Sequence, residues 1–241
     1  MLKKILILCL VILLIIVFLF QLSRSRTYQV FGNIVSHVST DNKVVALTFD
    51  DGPTEGATGT ILALLQQEGV KATFFLTGRE IEANPAEASK IIAAGHQIGN
   101  HSYSHQRMVL MGYQTIINEV EKTNQLIRAM GYKGEIVFRP PYGKKLFGLP
   151  YYLQQQGITT ITWDVEPETD ESIANDSHAI AEHVLHSVKP GSIILLHVMY
   201  KSRHASMESV PEIIKGLKHK GYTFVTANEL LNLSDVPDAS K

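Results

Sequence analysis

Two adjacent aspartates, Asp50 and Asp51, end an apolar run that begins at Lys43. A Gly-Pro pair follows them, so the run stops there and a loop begins. An ordinary surface turn has the same composition, but two acids at the end of so apolar a strand favour a site that performs chemistry. One carboxylate can bind a metal ion, and the other then remains free to act as a base.

Two histidines, His101 and His105, follow a second short run. On one helical turn their spacing brings both imidazoles to the same face, where they can bind one ion. Two imidazoles and one aspartate leave positions open for water and a substrate oxygen, as in a catalytic site. The only cysteine, Cys9, excludes a thiolate cluster, so zinc held by nitrogen and oxygen is the default. Such an ion predicts hydrolysis, because it activates water and polarises a carbonyl.

Arg139 and His197 also end apolar runs. Pro140 and Pro141 stiffen the backbone after Arg139, whose forked guanidinium can hold a carboxylate. The alternative for Arg139 is an exposed arginine on a proline-stiffened loop. The alternative for His197 is a buried structural histidine. Because all these polar residues directly follow predicted strands, we favour a functional role for Arg139 and interpret His197 as a general acid.

The elements that must position these residues alternate along the chain. The predicted strands are 43–49, 72–76, 97–99, 136–138, 159–163, 192–196 and 222–225. The predicted helices are 58–67, 85–94, 113–130, 146–156, 177–188 and 207–220. This alternation predicts an α/β fold with a parallel sheet covered by helices, and about seven repeats favour a closed barrel over an open sheet. The carboxyl ends of the strands then meet at one mouth.

An unbroken apolar stretch from Ile5 to Phe20 lies near the N-terminus, preceded by two lysines. At ~1.5 Å per residue it covers ~24 Å, slightly less than a ~30 Å hydrocarbon core. No small-residue cleavage site follows, so residues 1–26 are predicted to be an N-terminal membrane anchor or an uncleaved signal. A buried core helix is the disfavoured alternative, because the run lacks polar periodicity.

The remaining chain is predicted to have three parts: a polar stalk at 27–42, a catalytic domain at 43–233 and a frayed tail at 234–241. The 241 residues are 45% hydrophobic, which is enough for one domain with a core. With 22 basic and 23 acidic residues the net charge is −1, so nothing favours a nucleic-acid partner. No dinucleotide or P-loop glycine pattern is present, so no nucleotide cofactor is expected.

Taken together, these residues resemble the polysaccharide deacetylases of carbohydrate esterase family 4, the NodB homology domain, over nearly all of Val44 to Leu231. Five segments follow the family's motif order: Thr48 to Pro53, His101 to His105, Arg139 to Tyr142, Trp163-Asp164 and Leu195 to His197. The resemblance implies a distorted (β/α) barrel with about seven parallel strands. It also implies a divalent metal, most commonly Zn²⁺, with Co²⁺ or another divalent ion as the alternative.

The resemblance further implies a role for each site residue. Asp51, His101 and His105 would hold the metal, Asp50 would be the general base oriented by Arg139, and His197 the general acid. The Tyr142 backbone amide would stabilise the oxyanion, with Trp163 and Pro140 beside the substrate. The implied reaction removes N-acetyl groups from amino sugars of a cell-wall polysaccharide, either peptidoglycan or a chitin-like oligomer, and releases acetate.

The sequence departs from the family in its fourth motif, where a second tryptophan and an acid that tunes the catalytic histidine are usual. Asp170, Asp164 and Glu166 are the candidates for that acid, and the sequence does not choose among them. Val198 stands where an aspartate often follows the fifth-motif histidine. These changes bear on substrate choice and on the pKa of the acid more than on the reaction class.

Two other functions compete with hydrolysis of an acetamide. A metal-dependent phosphatase of the haloacid dehalogenase type has a similar acidic run, but its Asp-x-Asp spacing differs by one residue. A membrane-tethered glycan-binding module could keep the metal and lack turnover. With a retained anchor, we expect a single-pass cell-membrane protein whose catalytic domain is extracytoplasmic.

Overall fold

Strand β2 (Val44–Asp50) is the centre of the fold, and all seven of its residues are buried. It pairs in parallel with β3 (Thr73–Leu76), β6 (Ile193–His197) and β7 (Thr223–Val225), and β3 pairs in turn with β4 (Gln97–Asn100). A computed structural model describes residues 1–233, so the predicted tail at 234–241 lies outside the described residues. The strands are β1 (Ile34–Val35), β2 (Val44–Asp50), β3 (Thr73–Leu76), β4 (Gln97–Asn100), β5 (Thr160–Ile161), β6 (Ile193–His197) and β7 (Thr223–Val225).

Single parallel bridges close the sheet into a distorted barrel. Phe138 bridges Asn100 on one side and Thr160 on the other, and Val165 bridges Ile194. Within the predicted strand at 136–138, Phe138 is the bridging residue, and Pro140 and Pro141 cannot extend the ladder because they lack a backbone N–H. The predicted parallel α/β barrel is otherwise confirmed.

The helices of the described residues lie around this barrel, except for the first, whose apolar length is exposed. They are α1 (Leu2–Arg24), α2 (Ala57–Glu68), α3 (Gly78–Ala83), α4 (Pro85–Ala93), α5 (Tyr113–Ala129), α6 (Gly148–Gln155), α7 (Ser177–Ser187), α8 (His204–His219) and α9 (Ala227–Leu231). The six predicted helices correspond to α2 and α4 to α8. The short helices α3 and α9 were not expected, because neither is long enough to show helical periodicity.

Alternation along the strands decides which side chains reach the barrel interior. In β2, Val45, Leu47 and Phe49 pack outward against the helices, whereas Val44 and Ala46 belong to the inner cluster. Asp50 has the inward parity of that second set. In β6 the same alternation gives His197 the parity of the inner residues Ile193 and Leu195. Asp50 and His197 therefore stand at the top of the barrel interior on neighbouring strands, where they are register partners.

The segment 27–42, predicted as a stalk, packs on the barrel instead. Strand β1 lies within it and pairs with β5, and the buried Val38 donates a backbone hydrogen bond to Gly191 (3.0 Å). His37 also bridges Ser192 at the start of β6. The segment thus contacts both β5 and the residues just before β6, which its polar composition alone could not indicate.

Replacing Gly191 by alanine is expected to lower the free energy of unfolding by about 3 kcal/mol or more. Its φ is +84°, and a Cβ there would lie 1.8 Å from the Val38 carbonyl oxygen. The control is Gly157→Ala, since Gly157 has a φ of +65° and open space around it. Denaturant unfolding of both variants in detergent separates the clash from the backbone strain. Equal losses of unfolding free energy in the two variants would mean that the segment 34–38 does not pack on the barrel.

The C-terminal end of α1 is docked on the barrel, whereas its apolar length is exposed. The backbone N–H of Lys145 donates to the Ser23 carbonyl (3.0 Å), and the Lys145 ammonium donates to the Ser25 carbonyl. The Thr162 hydroxyl donates to the Arg26 carbonyl (2.6 Å). Helix α1 is long and apolar enough to cross a membrane, a property that anchors and signal sequences share.

Candidate active site

A cleft of about 760 Å³ opens at the carboxyl ends of the strands. Most of the residues predicted for the site line it, namely Asp50, Asp51, His101, His105, Tyr142, Trp163, Glu166 and His197. Arg139 lies fully buried beneath its floor. Residues from widely separated parts of the chain therefore share one cavity.

Asp51, His101 and His105 offer a set of metal ligands. One donor atom from each lies within 4.8 Å of the other two, and the Asp51 Oδ1 to His105 Nε2 distance is 3.4 Å. His101 Nδ1 donates to the Arg139 carbonyl (2.8 Å), which leaves Nε2 as the ligand atom. Two nitrogens and one oxygen fit a divalent cation with positions left open.

The segment 101–105 is a loop and not the predicted helical turn. Polar side chains hold it from outside: Asn100 accepts from the Ser102 N–H (2.8 Å), and Glu119 accepts from the Ser104 N–H (2.8 Å). The Ser102 hydroxyl accepts from the His105 N–H (3.1 Å). The imidazoles thus converge through hydrogen bonds that histidine spacing does not reveal.

Backbone strain concentrates at this cleft. Among the described residues, four non-glycine residues have a positive φ, and all belong to the site: Asp51 (73°), Ser102 (63°), His105 (59°) and Tyr142 (59°). Each such residue is expected to cost of order 1 kcal/mol or more, so the surrounding contacts must hold it in place. Glu80 of α3 contributes one of these contacts by accepting from the Gly52 N–H (2.7 Å) beside Asp51.

Arg139 fixes the orientation and the charge of Asp50. Its guanidinium donates to Asp50 Oδ1 (2.6 Å) and to the Thr48 hydroxyl (2.9 Å) and lies 3.9 Å from the Phe75 ring centroid. The other carboxylate oxygen, Oδ2, lies 3.5 Å from His101 Nε2, beside the metal ligands. Burial opposes ionisation of Asp50, but the charges of Arg139, His101 and His197 outweigh it and lower the pKa of the carboxyl. Asp50 is therefore a carboxylate at neutral pH, as a base must be.

His197 lines the same cleft, on the strand beside that of Asp50, and contacts the buried carboxylate of Glu168. Glu168 accepts from the His197 imidazole Nδ1, from its backbone N–H (2.9 Å) and from the Ser206 hydroxyl. Burial lowers the pKa of His197, but Glu168 and then Asp50 and Asp51 outweigh it and raise that pKa to about 9. Because His197 Nδ1 donates to Glu168, the protonated Nε2 is free to act as an acid.

A sequence profile described as "Polysaccharide deacetylase" matches residues 37–161. The chain belongs to the polysaccharide deacetylase family. The resemblance inferred from the motifs is thereby confirmed. The chain is 36% identical over 192 residues to a peptidoglycan-N-acetylglucosamine deacetylase of Bacillus cereus, covering 79% of this chain and 69% of that protein.

Two further comparisons agree with this family. The peptidoglycan-N-acetylglucosamine deacetylase PgdA of Listeria monocytogenes is 32% identical over 189 residues, which is 78% of this chain but 39% of that protein. This chain thus spans about two fifths of the length of that relative. The crystal structure of the Bc1960 peptidoglycan N-acetylglucosamine deacetylase superposes with a TM-score of 0.77 at 33% identity, covering 84% of this chain and 94% of that one.

None of the three acids predicted for the fourth motif contacts His197. Asp170 is exposed, Asp164 accepts from the Ile193 N–H (2.8 Å), and Glu166 accepts from the Trp163 indole (2.7 Å). Glu168 hydrogen-bonds His197 instead. A short 3₁₀ turn at Pro167–Thr169 directs Glu168 inward. Pro167, a residue suited to the first position of such a turn, is the signal that could have suggested it.

The third motif forms one wall of the cleft. The Tyr142 ring lies 4.7 Å from the His105 ring, and among the described residues no group accepts a hydrogen bond from the Tyr142 N–H. Pro140, predicted beside the substrate, is buried behind this wall, and its carbonyl accepts from the Gly143 N–H (2.9 Å). Trp163 also lines the cleft, and its ring lies beside Gly143, which follows Tyr142.

Replacing Glu168 by glutamine is expected to lower the pKa of His197 by about one unit or more, because a negative partner is lost. NMR titration of histidine-labelled, metal-free protein measures this shift, and Glu166→Gln is the matched control. Since folding raises the His197 pKa from 6.5 to about 9, its stabilising contribution is complete below pH 6.5 and is lost as the pH rises through 9. An unchanged titration in Glu168→Gln would disprove this role of Glu168.

Proposed function

We propose that this polysaccharide deacetylase hydrolyses the N-acetyl groups of amino sugars in a cell-wall polysaccharide, with peptidoglycan as the preferred polymer over a chitin-like oligomer. The observation that carries this proposal is the placement of Asp50 and His197, a base and an acid, in one cleft beside a set of metal ligands. The named activities of the Bacillus and Listeria relatives support it.

Asp51, His101 and His105 would hold the cation, and Zn²⁺ is the ion we propose for this donor set. A bound divalent cation lowers the pKa of water and polarises a carbonyl oxygen. The fit of the site rests on the donor atoms of the three ligands and on the His101 contact with the Arg139 carbonyl.

The protein residues would carry the proton transfers. Asp50, held by Arg139, accepts a proton from the attacking water, and His197 donates a proton to the departing amine. The free N–H of Tyr142 stabilises the negative oxygen that develops on the acetyl carbon. Each positioned proton transfer typically contributes about 10²- to 10⁴-fold, and an oxyanion donor about 10²- to 10³-fold.

We propose that α1 is a retained single-pass anchor and that the catalytic domain is extracytoplasmic. The exposed apolar length of α1 and the docking of its end on the barrel support this location. Because the 27–42 segment packs on the barrel, the folded domain would begin close to the membrane surface. The cleft would then face polymer near the membrane.

Mass spectrometry of glycan fragments tests this function. Chito-oligosaccharides and peptidoglycan fragments incubated with the zinc-loaded full chain are expected to lose one acetyl mass for each deacetylated sugar. Zinc-dependent binding without mass loss would indicate the glycan-binding module instead. Hydrolysis of phosphate monoesters with intact acetamides would indicate a phosphatase.

A further inference from the structure

One rim of the cleft carries three basic side chains without acidic partners. Arg24 and Lys144 line the cleft, and Arg107 lies against its wall residue Tyr142. Within residues 1–233, none of these three forms an ion pair, whereas the neighbouring Arg26 lies 3.7 Å from Glu166. The rim therefore holds positive charge that the protein itself does not neutralise.

Aromatic contacts hold these cations near one another. The Lys144 ammonium lies 5.0 Å and the Arg24 guanidinium 5.6 Å from the centroid of the same Phe20 ring. The Arg107 guanidinium lies 4.5 Å from the Tyr142 ring centroid. Burial, together with the charges of Arg24 and Arg107, lowers the pKa of Lys144, as expected for like charges in proximity.

The position of Arg24 is fixed by the docked end of α1. Arg24 is the last residue of that helix, and the preceding Ser23 is buried and accepts from the Lys145 N–H. Lys145 directly follows Lys144, so the same contact places both cations on one rim. The juxtamembrane end of the helix therefore supplies part of the cleft wall.

We propose that Arg24, Arg107 and Lys144 form a subsite for a carboxylate carried by the glycan substrate. This inference rests on the proposed function and narrows it. Guanidinium and ammonium groups bind carboxylates through charge-assisted hydrogen bonds. Peptidoglycan strands carry carboxylates on their lactyl ethers and peptide stems, whereas N-acetylglucosamine oligomers are neutral.

The position of the three cations favours a glycan over a lipid headgroup. The Tyr142 ring that Arg107 covers also contacts the ring of His105, a proposed metal ligand. Arg24 and Lys144 line the same cavity as the proposed catalytic residues. A carboxylate bound there would belong to the same molecule as the reacting acetamide.

Calorimetric binding to the metal-free full chain in non-ionic detergent tests the subsite without turnover. The ligands are a peptidoglycan fragment with free carboxylates and a neutral N-acetylglucosamine oligomer of equal length. We expect tighter binding of the acidic fragment, and we expect the double variant Arg24→Gln/Lys144→Gln to lower this preference by about tenfold. Added salt should weaken the preference as well.

Two controls separate charge from folding. Lys144→Arg keeps the charge and should keep the preference, and Lys133→Gln removes an exposed charge beyond the end of α5 and should also keep it. An equal preference in the wild type and the double variant would overturn the subsite. So would an effect that appears only in anionic lipid nanodiscs, which would indicate a headgroup site. Acetate release, measured separately with zinc, decides the proposed function, so the two failures are distinguishable.

Discussion

Replacing Asp50 by asparagine is expected to lower kcat by about 10²- to 10⁴-fold while the chain still binds its divalent ion. The amide oxygen can still accept from the Arg139 guanidinium, which donates to Oδ1 at 2.6 Å. The uncharged amide, however, cannot accept a proton from water. Acetate release and the metal content of the purified variant are the two measurements.

The matched control for this variant is Asp51→Asn, one residue further along the chain. Asp51 belongs to the ligand set, so this variant is expected to lose the ion and the activity together. Zinc analysis of both variants assigns the adjacent aspartates. Loss of the ion from Asp50→Asn with retention in Asp51→Asn would show that their roles are exchanged.

Replacing His197 by alanine is expected to lower kcat on an acetamide by about 10²- to 10⁴-fold, because the departing amine then lacks a proton donor. An aryl acetate ester should be affected far less, because its phenolate departs without protonation. His197 is suited to this donation, since Glu168 occupies Nδ1 and raises the pKa of the imidazole to about 9.

A surface histidine provides the control for the second prediction. His186 of α7 is exposed, and its imidazole contacts the Glu182 carbonyl on the same helix, so His186→Ala should leave both substrates unaffected. Acetate release from amide and ester substrates is compared for the two variants. Equal losses on both substrates in His197→Ala would contradict a role as general acid.

Strand ends were the most predictable feature of this chain. Parallel strands place their carboxyl ends at one mouth, and alternation sends every second side chain inward, so apolar runs suffice to locate Asp50 and His197. The buried strands β2 and β6 show this pattern most clearly. Their length and burial explain why local sequence located these two residues.

The contacts that a strand end makes with distant segments were not predictable. Glu168 faces His197 because a 3₁₀ turn changes which of several nearby acids points inward. Strand β1 forms only through pairing with β5, which lies more than a hundred residues away. Each feature depends on a partner that the local composition does not specify.

Zinc titration of the metal-free full chain tests the central claim most directly, with acetate release from peptidoglycan fragments measured at each step. The account predicts a single ion per chain, with acetate release rising in proportion to occupancy and with zinc binding lost in His101→Ala and His105→Ala. Acetate release that continues after complete removal of metal, or zinc binding that survives both substitutions, would contradict it.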